Sequence, residues 1–357
     1  MSLNAFIKLF KTPRSHYVFD VNKNALLNVS EAAYKYFDQG EKAEDLTSDA
    51  AAEIELLRKR GYLSAHRVSK VEHQETNHIP ALIKTGLSEM VLQVTQACNL
   101  CCIYCPYANS IDGSLQRSHS NKVMSFATAR KAIDLLSSCS EDSDSITIGF
   151  YGGEPLIAFP LIKECVKYAK EVFEGKQLFF IMTSNVTLCN DEIIDFLVEN
   201  NFIITVSMDG PQEIHDKNRI KPNKEGTYQV VEKNLNRMVE RWGDACKEHI
   251  SINVVVNPAD DLDIIDNWTQ TPLIKNVIFS SGTIENDELE RKFEDYENYD
   301  EKYQYKLALA MLDYLQIVPN LTVSRLVTSE LNRLKDTYKN FKQGESVYNG
   351  PRDPDHS

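Results

Sequence analysis

The sequence predicts an α/β protein whose larger part is built on a parallel sheet, and three observations lead there. From Met90 onward, apolar runs of strand length alternate with segments whose apolar residues recur at helical spacing, the order that builds βα units. The glycines, carboxylates and cysteines that carry chemistry fall just after those runs, where parallel barrels keep their functional loops. The balance of 42% hydrophobic and 25% charged residues is that of an ordinary globular chain, and 357 residues leave room for two or three domains.

Charge and composition narrow the partners. A formal net charge of −13 speaks against nucleic acid and against an anionic membrane surface. No run reaches the roughly 18 consecutive apolar residues of a membrane span, and the opening MSLNAFIKLFKTPR is too short and too interrupted for a signal peptide. The cytoplasm is the expected location. Eight cysteines there favour metal binding or catalysis over disulfides.

Residues 1–64 read as a small domain. Tyr17, Phe19 and Val21 alternate with polar neighbours as in a half-buried strand, 21–24 is a turn, and 25–29 returns as a second strand. Ser30 caps a helix ending near Gly40; a second helix starts at about Ser48, with Ile54 and Leu57 on one face and Gly61 as its C-cap. Residues 65–86, polar and containing Pro80, read as a linker, and the spacing of His66, His73 and His78 matches no helical ligand pair.

Strands follow over 90–95, 146–150, 178–182, 202–206, 250–256 and 277–280. Helices are expected from the N-cap Ser125, with Phe126, Ala129, Ile133 and Leu136 on one face, around Ile193, Ile194 and Leu197, and around Val231, Leu235 and Met238. The acidic run 285–302 reads as a solvated face, and 303–318 as an amphipathic helix with Leu307, Ala310, Met311, Tyr314 and Leu315 on its apolar side. Cys139, Cys165, Cys189 and Cys246 are scattered singly, as buried thiols are.

The loop after the first of these six strands is Cys98-Asn-Leu-Cys-Cys-Ile-Tyr-Cys105. Cys98, Cys102 and Cys105 have the spacing C-x3-C-x2-C. Three thiolates in eight residues can hold three corners of a [4Fe–4S] cube, which ordinarily takes four, and an iron without a protein thiolate is open to a small molecule. A zinc site usually needs four ligands, often as two separated C-x2-C pairs, and no second pair follows. Cys101 in place of Cys102 gives a different spacing.

After the second strand comes Tyr151-Gly152-Gly153-Glu154-Pro155, in which paired glycines permit close backbone approach and a carboxylate is available for an ammonium group. Thr183-Ser184-Asn185 ends the third strand. Ser207-Met-Asp209-Gly210-Pro211, followed by His215-Asp216 and Arg219, ends the fourth.

These motifs resemble those of the radical S-adenosylmethionine (SAM) enzymes, most closely the maturases that crosslink ribosomally made precursor peptides. The resemblance implies a partial (βα)6 TIM-like barrel over 87–320. It also implies a [4Fe–4S] cluster on Cys98, Cys102 and Cys105, and SAM bound on its open iron. Reductive cleavage of SAM would then give a 5′-deoxyadenosyl radical that abstracts a substrate hydrogen. Tyr104, Gly152, Gly153, Glu154, Ser184, Asn185, Ser207 and Arg219 stand at the family's cofactor-binding positions, Arg219 as a bidentate partner for the SAM carboxylate. Ser184-Asn185 departs from the Thr-Asn-Gly common in relatives. Asp209, His215 and Asp216 fit a structural capping role equally well.

The two strands and two helices at the N-terminus resemble a winged-helix peptide-recognition element, which adds a leader peptide to a sheet edge. The implied partners are thus a precursor peptide held by its leader and an electron donor such as flavodoxin or ferredoxin. Peptide-maturing relatives continue into a cysteine-rich SPASM-type domain with auxiliary clusters; here no cysteine follows Cys246, and 321–357 read as a helical tail before that domain would begin. Two alternatives stay open: a sulfatase-maturase-like enzyme acting on a protein, and a truncated adaptor that binds leader peptide without turnover.

Overall fold

The computed structural model describes residues 4–41, 46–67, 74–105, 107, 119–284, 296–319, 321 and 323–342. The chain divides into two compact units, Met1–Asn77 with Arg333–Ser357, and His78–Asn332.

In the first unit, β1 (Ile7–Lys11), β2 (His16–Asp20) and β3 (Ala25–Val29) form an antiparallel sheet in that order. Asn24 adopts φ 48° in the turn before β3, a left-handed conformation that asparagine tolerates well. Helix α1 (Glu31–Asp38) starts where Ser30 accepts a hydrogen bond from Ala33 N, and α2 (Ser48–Lys59) where Thr47 accepts one from Ala50 N. Val18, Val29, Ala33, Phe37, Ala50 and Ile54 close a small core of their own. Sequence reasoning missed β1. Its segment IKLFK turns only Ile7 and Leu9 toward that core, and its two lysines suit an edge strand. Arg60, not Gly61, is the C-cap of α2; Gly61 lies one residue beyond with φ +83°.

The second unit opens with α3 (Ile79–Thr85), inside the stretch expected to be a linker. Pro80 sits in its first turn, where the missing N–H costs nothing, and no residue of α3 is buried, so no amphipathic pattern marked it. Then β4 (Glu89–Thr95), α4 (Phe126–Ser138), β5 (Ser145–Gly152), α5 (Phe159–Val172), β6 (Gln177–Ser184), α6 (Asp191–Glu199) and β7 (Phe202–Ser207) alternate. They are followed by α7 (Gln212–Asn218), α8 (Tyr228–Trp242), the short α9 (Cys246–His249), β8 (Ile250–Val256), α10 (Leu262–Thr269), the short α11 (Pro272–Lys275) and β9 (Ile278–Thr283).

The six strands are all parallel and lie in chain order from β4 to β9, as a partial barrel requires. One face is packed under the helices, where Phe150, Phe180 and Phe202 stack with centroids 5.3 to 6.3 Å apart. Each such ring contributes on the order of 1.5–3 kcal/mol by leaving water. The opposite face keeps Val91, Tyr151, Phe179 and Ile278 exposed.

Helix α12 (Tyr296–Tyr314) begins earlier and ends sooner than the expected 303–318. Leu307 and Ala310 are buried, whereas Met311, Tyr314 and Leu315 are exposed, so the apolar stripe is only half used. The last helix, α13, spans Thr328–Lys342. Most of the acidic run, 285–295, lies outside the described residues, as does 343–357. Among the lone cysteines, Cys165, Cys189 and Cys246 are buried, but Cys139 is only partly so. No helix among the described residues is long and apolar enough to cross a membrane.

Candidate active site

The strands' C-terminal ends gather the predicted residues. Beyond β4, Thr95 Oγ1 accepts from Ala97 N at 3.0 Å and turns the chain into the cysteine loop. Gly153 N donates to Thr95 O at 3.0 Å, and Glu154 N to Ala97 O at 2.8 Å. A Cβ on Gly152, which has φ +149°, would overlap the Thr95 carbonyl, and one on Gly153 the Ala97 carbonyl, with Cys98 N only 2.9 Å away. The glycine pair is therefore needed first for backbone-to-backbone contact with the cysteine loop, a role the motif alone did not show.

From the other side, Cys101 N donates to Ile220 O at 2.7 Å and Ile103 N to Asn218 O at 3.0 Å, so the segment after α7 straps the loop. Beneath the strap, buried Asp209 joins three elements. Its Oδ2 accepts from Tyr104 OH at 2.6 Å and lies 3.0 Å from Arg219 Nε, and its Oδ1 accepts from Val255 N at 3.1 Å. The Arg219 Nε–H is paired by charge alone, without an aligned hydrogen bond. Arg219 also lies over the Tyr104 ring, centroid 5.4 Å away, and brings Nη1 to 4.0 Å from Cys102 Sγ. Burial opposes its charge, yet Asp209 and the neighbouring Tyr104 and Cys102 hold its pKa above the ordinary value. Burial, with Asp209 adding, pushes the Tyr104 phenol up.

His215 fixes this corner. Its Nδ1 accepts from Asp209 N at 3.3 Å; its Nε2 donates to Thr227 Oγ1 at 2.9 Å, and that hydroxyl in turn donates to Arg219 O. The imidazole is thus neutral and Nε2-protonated, and burial lowers its pKa to about 4. Asp216 accepts from Thr227 N and Tyr228 N at the start of α8.

Glu154 is buried at the end of β5. It accepts from Leu156 N at 3.1 Å, Ser184 Oγ at 2.7 Å and Asn185 N at 2.8 Å. Burial pushes its pKa up, against the pull of those three donors. Asn185 Nδ2 donates to Asn99 Oδ1 at 2.9 Å, tying β6 to the cysteine loop. Ser207 is half-buried at the last position of β7, opposite Asn253.

Cys98, Cys102 and Cys105 are partly buried, and Cys101 is exposed. Burial pushes Cys98 up to about 11 and Cys102 up to about 12, so both are thiols near neutrality and metal binding must displace their protons. Cys105 Sγ lies 3.5 Å from Nε2 of His119, whose Nδ1 donates to Gln96 O at 2.9 Å. Sequence reasoning missed His119 and the reach of Asn99; neither lies in a spacing that marks a ligand. Among the described residues, no three His, Cys, Asp or Glu gather around a single metal ion. The thiolates of a cube each bind a different iron and stand farther apart than the ligands of one ion. Three cysteines on one short loop, clamped by a glycine pair and a strap, suit such a cluster.

Residues 92–266 match the Radical SAM superfamily model. That segment is similar to radical SAM domains over just under half of the chain. The cofactors of such domains are a [4Fe–4S] cluster and SAM. An uncharacterized protein of Methanocaldococcus jannaschii is 37% identical over 141 residues, 40% of this chain and 44% of that protein. The cysteine-type anaerobic sulfatase-maturating enzyme of Clostridium novyi is 29% identical over 48% of this chain and 44% of its own length. The serine-type enzyme of Bacteroides thetaiotaomicron is 34% identical over 40% and 33%. The chain thus spans less than half the length of these curated relatives. The solved structure "Native anSMEcpe with bound AdoMet" shares the fold of the radical SAM domain, with a TM-score of 0.54 and 21% identity over 73% of this chain and 68% of that one.

Proposed function

We propose that the chain is a cytoplasmic radical SAM enzyme that modifies a polypeptide, with Cys98, Cys102 and Cys105 as cluster ligands. The observation that carries this reading is the clamped cysteine loop, held between Gly152-Gly153 and the Asn218–Ile220 strap with Arg219 at its back. When bound, the cluster and SAM supply a 5′-deoxyadenosyl radical that removes a substrate hydrogen. The chain's own residues do the rest. In this reading Glu154, with Ser184 and Asn185 beside it, is the partner for the SAM ammonium. In this reading Arg219, held charged by Asp209, pairs with the SAM carboxylate, and Ser207 is a further SAM contact. Tyr104 fixes the loop through Asp209.

A ribosomally made precursor, held by its leader along β1 or β3, the edge strands among the described residues, is the substrate this reading favours, since the first unit has its own three-stranded sheet with two helices. A target protein is the second reading, favoured by the similarity to sulfatase-maturating enzymes. Anaerobic reconstitution with iron and sulfide, followed by dithionite and SAM, tests the chemistry. The native chain is expected to hold about four irons per chain and form 5′-deoxyadenosine, and Cys102→Ala to lose both. Turnover retained by that variant refutes the assignment. Titrating synthetic leader peptide against residues 1–77 as part of the full chain separates the two substrates.

A further inference from the structure

We propose that His119 is the positioning residue for Cys105, the third of the cluster thiols, and clasps the end of the cysteine loop to its beginning; this rests on the radical SAM reading above. The imidazole spans the neck of that loop. Its Nδ1 donates at 2.9 Å to the carbonyl of Gln96, two residues before Cys98, and its Nε2 lies 3.5 Å from Cys105 Sγ. A carbonyl oxygen only accepts, which assigns the ring proton to Nδ1 and turns the Nε2 lone pair toward the Cys105 sulfur. One rigid ring thus joins the residue that enters the loop to the cysteine that ends it.

The ring is itself anchored on both sides. His119 N donates to Tyr107 O at 3.0 Å, just past Cys105. The residues after His119 run antiparallel to the exit of β4: Gln96 N donates to Lys122 O and Met124 N to Val94 O, each at 2.9 Å, Thr95 bridges Val123, and Ser120 Oγ donates to Gln96 Oε1 at 2.6 Å. The other two sulfurs are served by the motifs. The glycine pair backs Cys98, Arg219 reaches Cys102, and the strap bonds Cys101 and Ile103. Cys105 lies beyond these contacts. Among the described residues His119, which belongs to no motif, is the side chain within hydrogen-bond reach of its sulfur. Three sulfurs must converge on one cube, and holding a ligand in its bound arrangement lowers the ordering cost of binding. The role of His119 is mechanical, with no proton or electron passing through it.

Two amide replacements make the test. In His119→Asn the amide takes the place of Nδ1 and serves Gln96 but not Cys105; in His119→Gln the longer amide reaches the place of Nε2 and serves Cys105. The reconstituted full chain is challenged anaerobically with an iron chelator while its cluster absorbance is followed. His119→Ala and His119→Asn are expected to lose iron about tenfold faster than native, and His119→Gln to come within about threefold of it. The paramagnetic resonance spectrum of the reduced cluster should change in the first two variants and stay native in the third. Iron loss at the native rate from His119→Ala, or recovery by Asn as complete as by Gln, overturns the proposal. In the cluster-free chain, Cys105→Ala should move the imidazole nitrogen resonances of His119, and resonances left in place overturn the contact itself. A native chain that takes up no cluster sinks the radical SAM reading instead, while those resonances still decide this one.

Discussion

Removing the Asp209 carboxylate is expected to be among the most destabilising changes in the second unit. Asp209→Ala leaves Arg219, with a side chain only 8% exposed, facing no anion, and leaves the Tyr104 hydroxyl and Val255 N–H without an acceptor. Breaking a buried ion pair from one side costs about 3–5 kcal/mol, since the surviving charge stays desolvated. For a unit of this size each kcal/mol lowers Tm by about 2–4 °C, so the melting of the second unit should fall by roughly 6–20 °C. Arg219→Met should do similar damage. The double variant should be markedly milder than the sum, because a neutral pair strands no charge. Urea unfolding of the cluster-free protein, followed by tryptophan fluorescence, reads this without any cofactor contribution. Single variants within about 1 kcal/mol of native, or a double variant equal to the sum of the two, would show that Arg219 is solvated well enough not to need Asp209.

Three further outcomes follow from the same geometry. Gly153→Ala forces a Cβ onto the Ala97 carbonyl, far inside the ordinary C···O contact of about 3.3–3.6 Å; the cysteine loop must shift, and iron uptake on reconstitution should fall while far-ultraviolet circular dichroism stays native. Glu154→Gln puts one amide where Leu156 N, Ser184 Oγ and Asn185 N all donate, and should cost about 1–3 kcal/mol in urea unfolding; a neutral result would mean the site rearranges freely. His215, near 6.5 when unfolded and about 4 when folded, is neutral in both states above pH 6.5. As pH falls from 6.5 toward 4 the unfolded chain takes the proton first, so stability should drop by about 3 kcal/mol across that window. His215→Asn should abolish that part of the slope, and an unchanged slope assigns it elsewhere.

What was legible in the sequence was what repeats or has a fixed spacing. The strands carry buried apolar residues at every second position, as in Phe202, Ile204 and Val206, and all six were found within a few residues of their ends. The caps Ser30 and Ser125 do what their residue type predicts. The cysteine loop and glycine pair stood out because each is contiguous. Asp209 stood out within its motif too, but not as the hub it is, because its partners Tyr104, Arg219 and Val255 come from three distant segments, and only the barrel brings them together. Likewise α3, with no buried face, and β1, with two lysines in five residues, have nothing for a periodicity argument to read.

The way the six-stranded sheet ends has a consequence for access. Among the described residues the strand neighbours of β4 and β9 are β5 and β8 alone; apart from the end of β4, where Thr95 bridges Val123 and Met124 N donates to Val94 O, the margins of the ribbon are open, and side chains such as Val91 on β4 and Ile278 on β9 stay wet. A fully circular barrel plugs its interior with its own side chains and admits visitors only at one mouth. A ribbon left open along its length can be entered sideways, so a chain-like visitor need not be threaded end first, and its reacting residue can lie in the middle of a long polymer. The shape that leaves apolar atoms uncovered is also the shape that tolerates a guest with two tails.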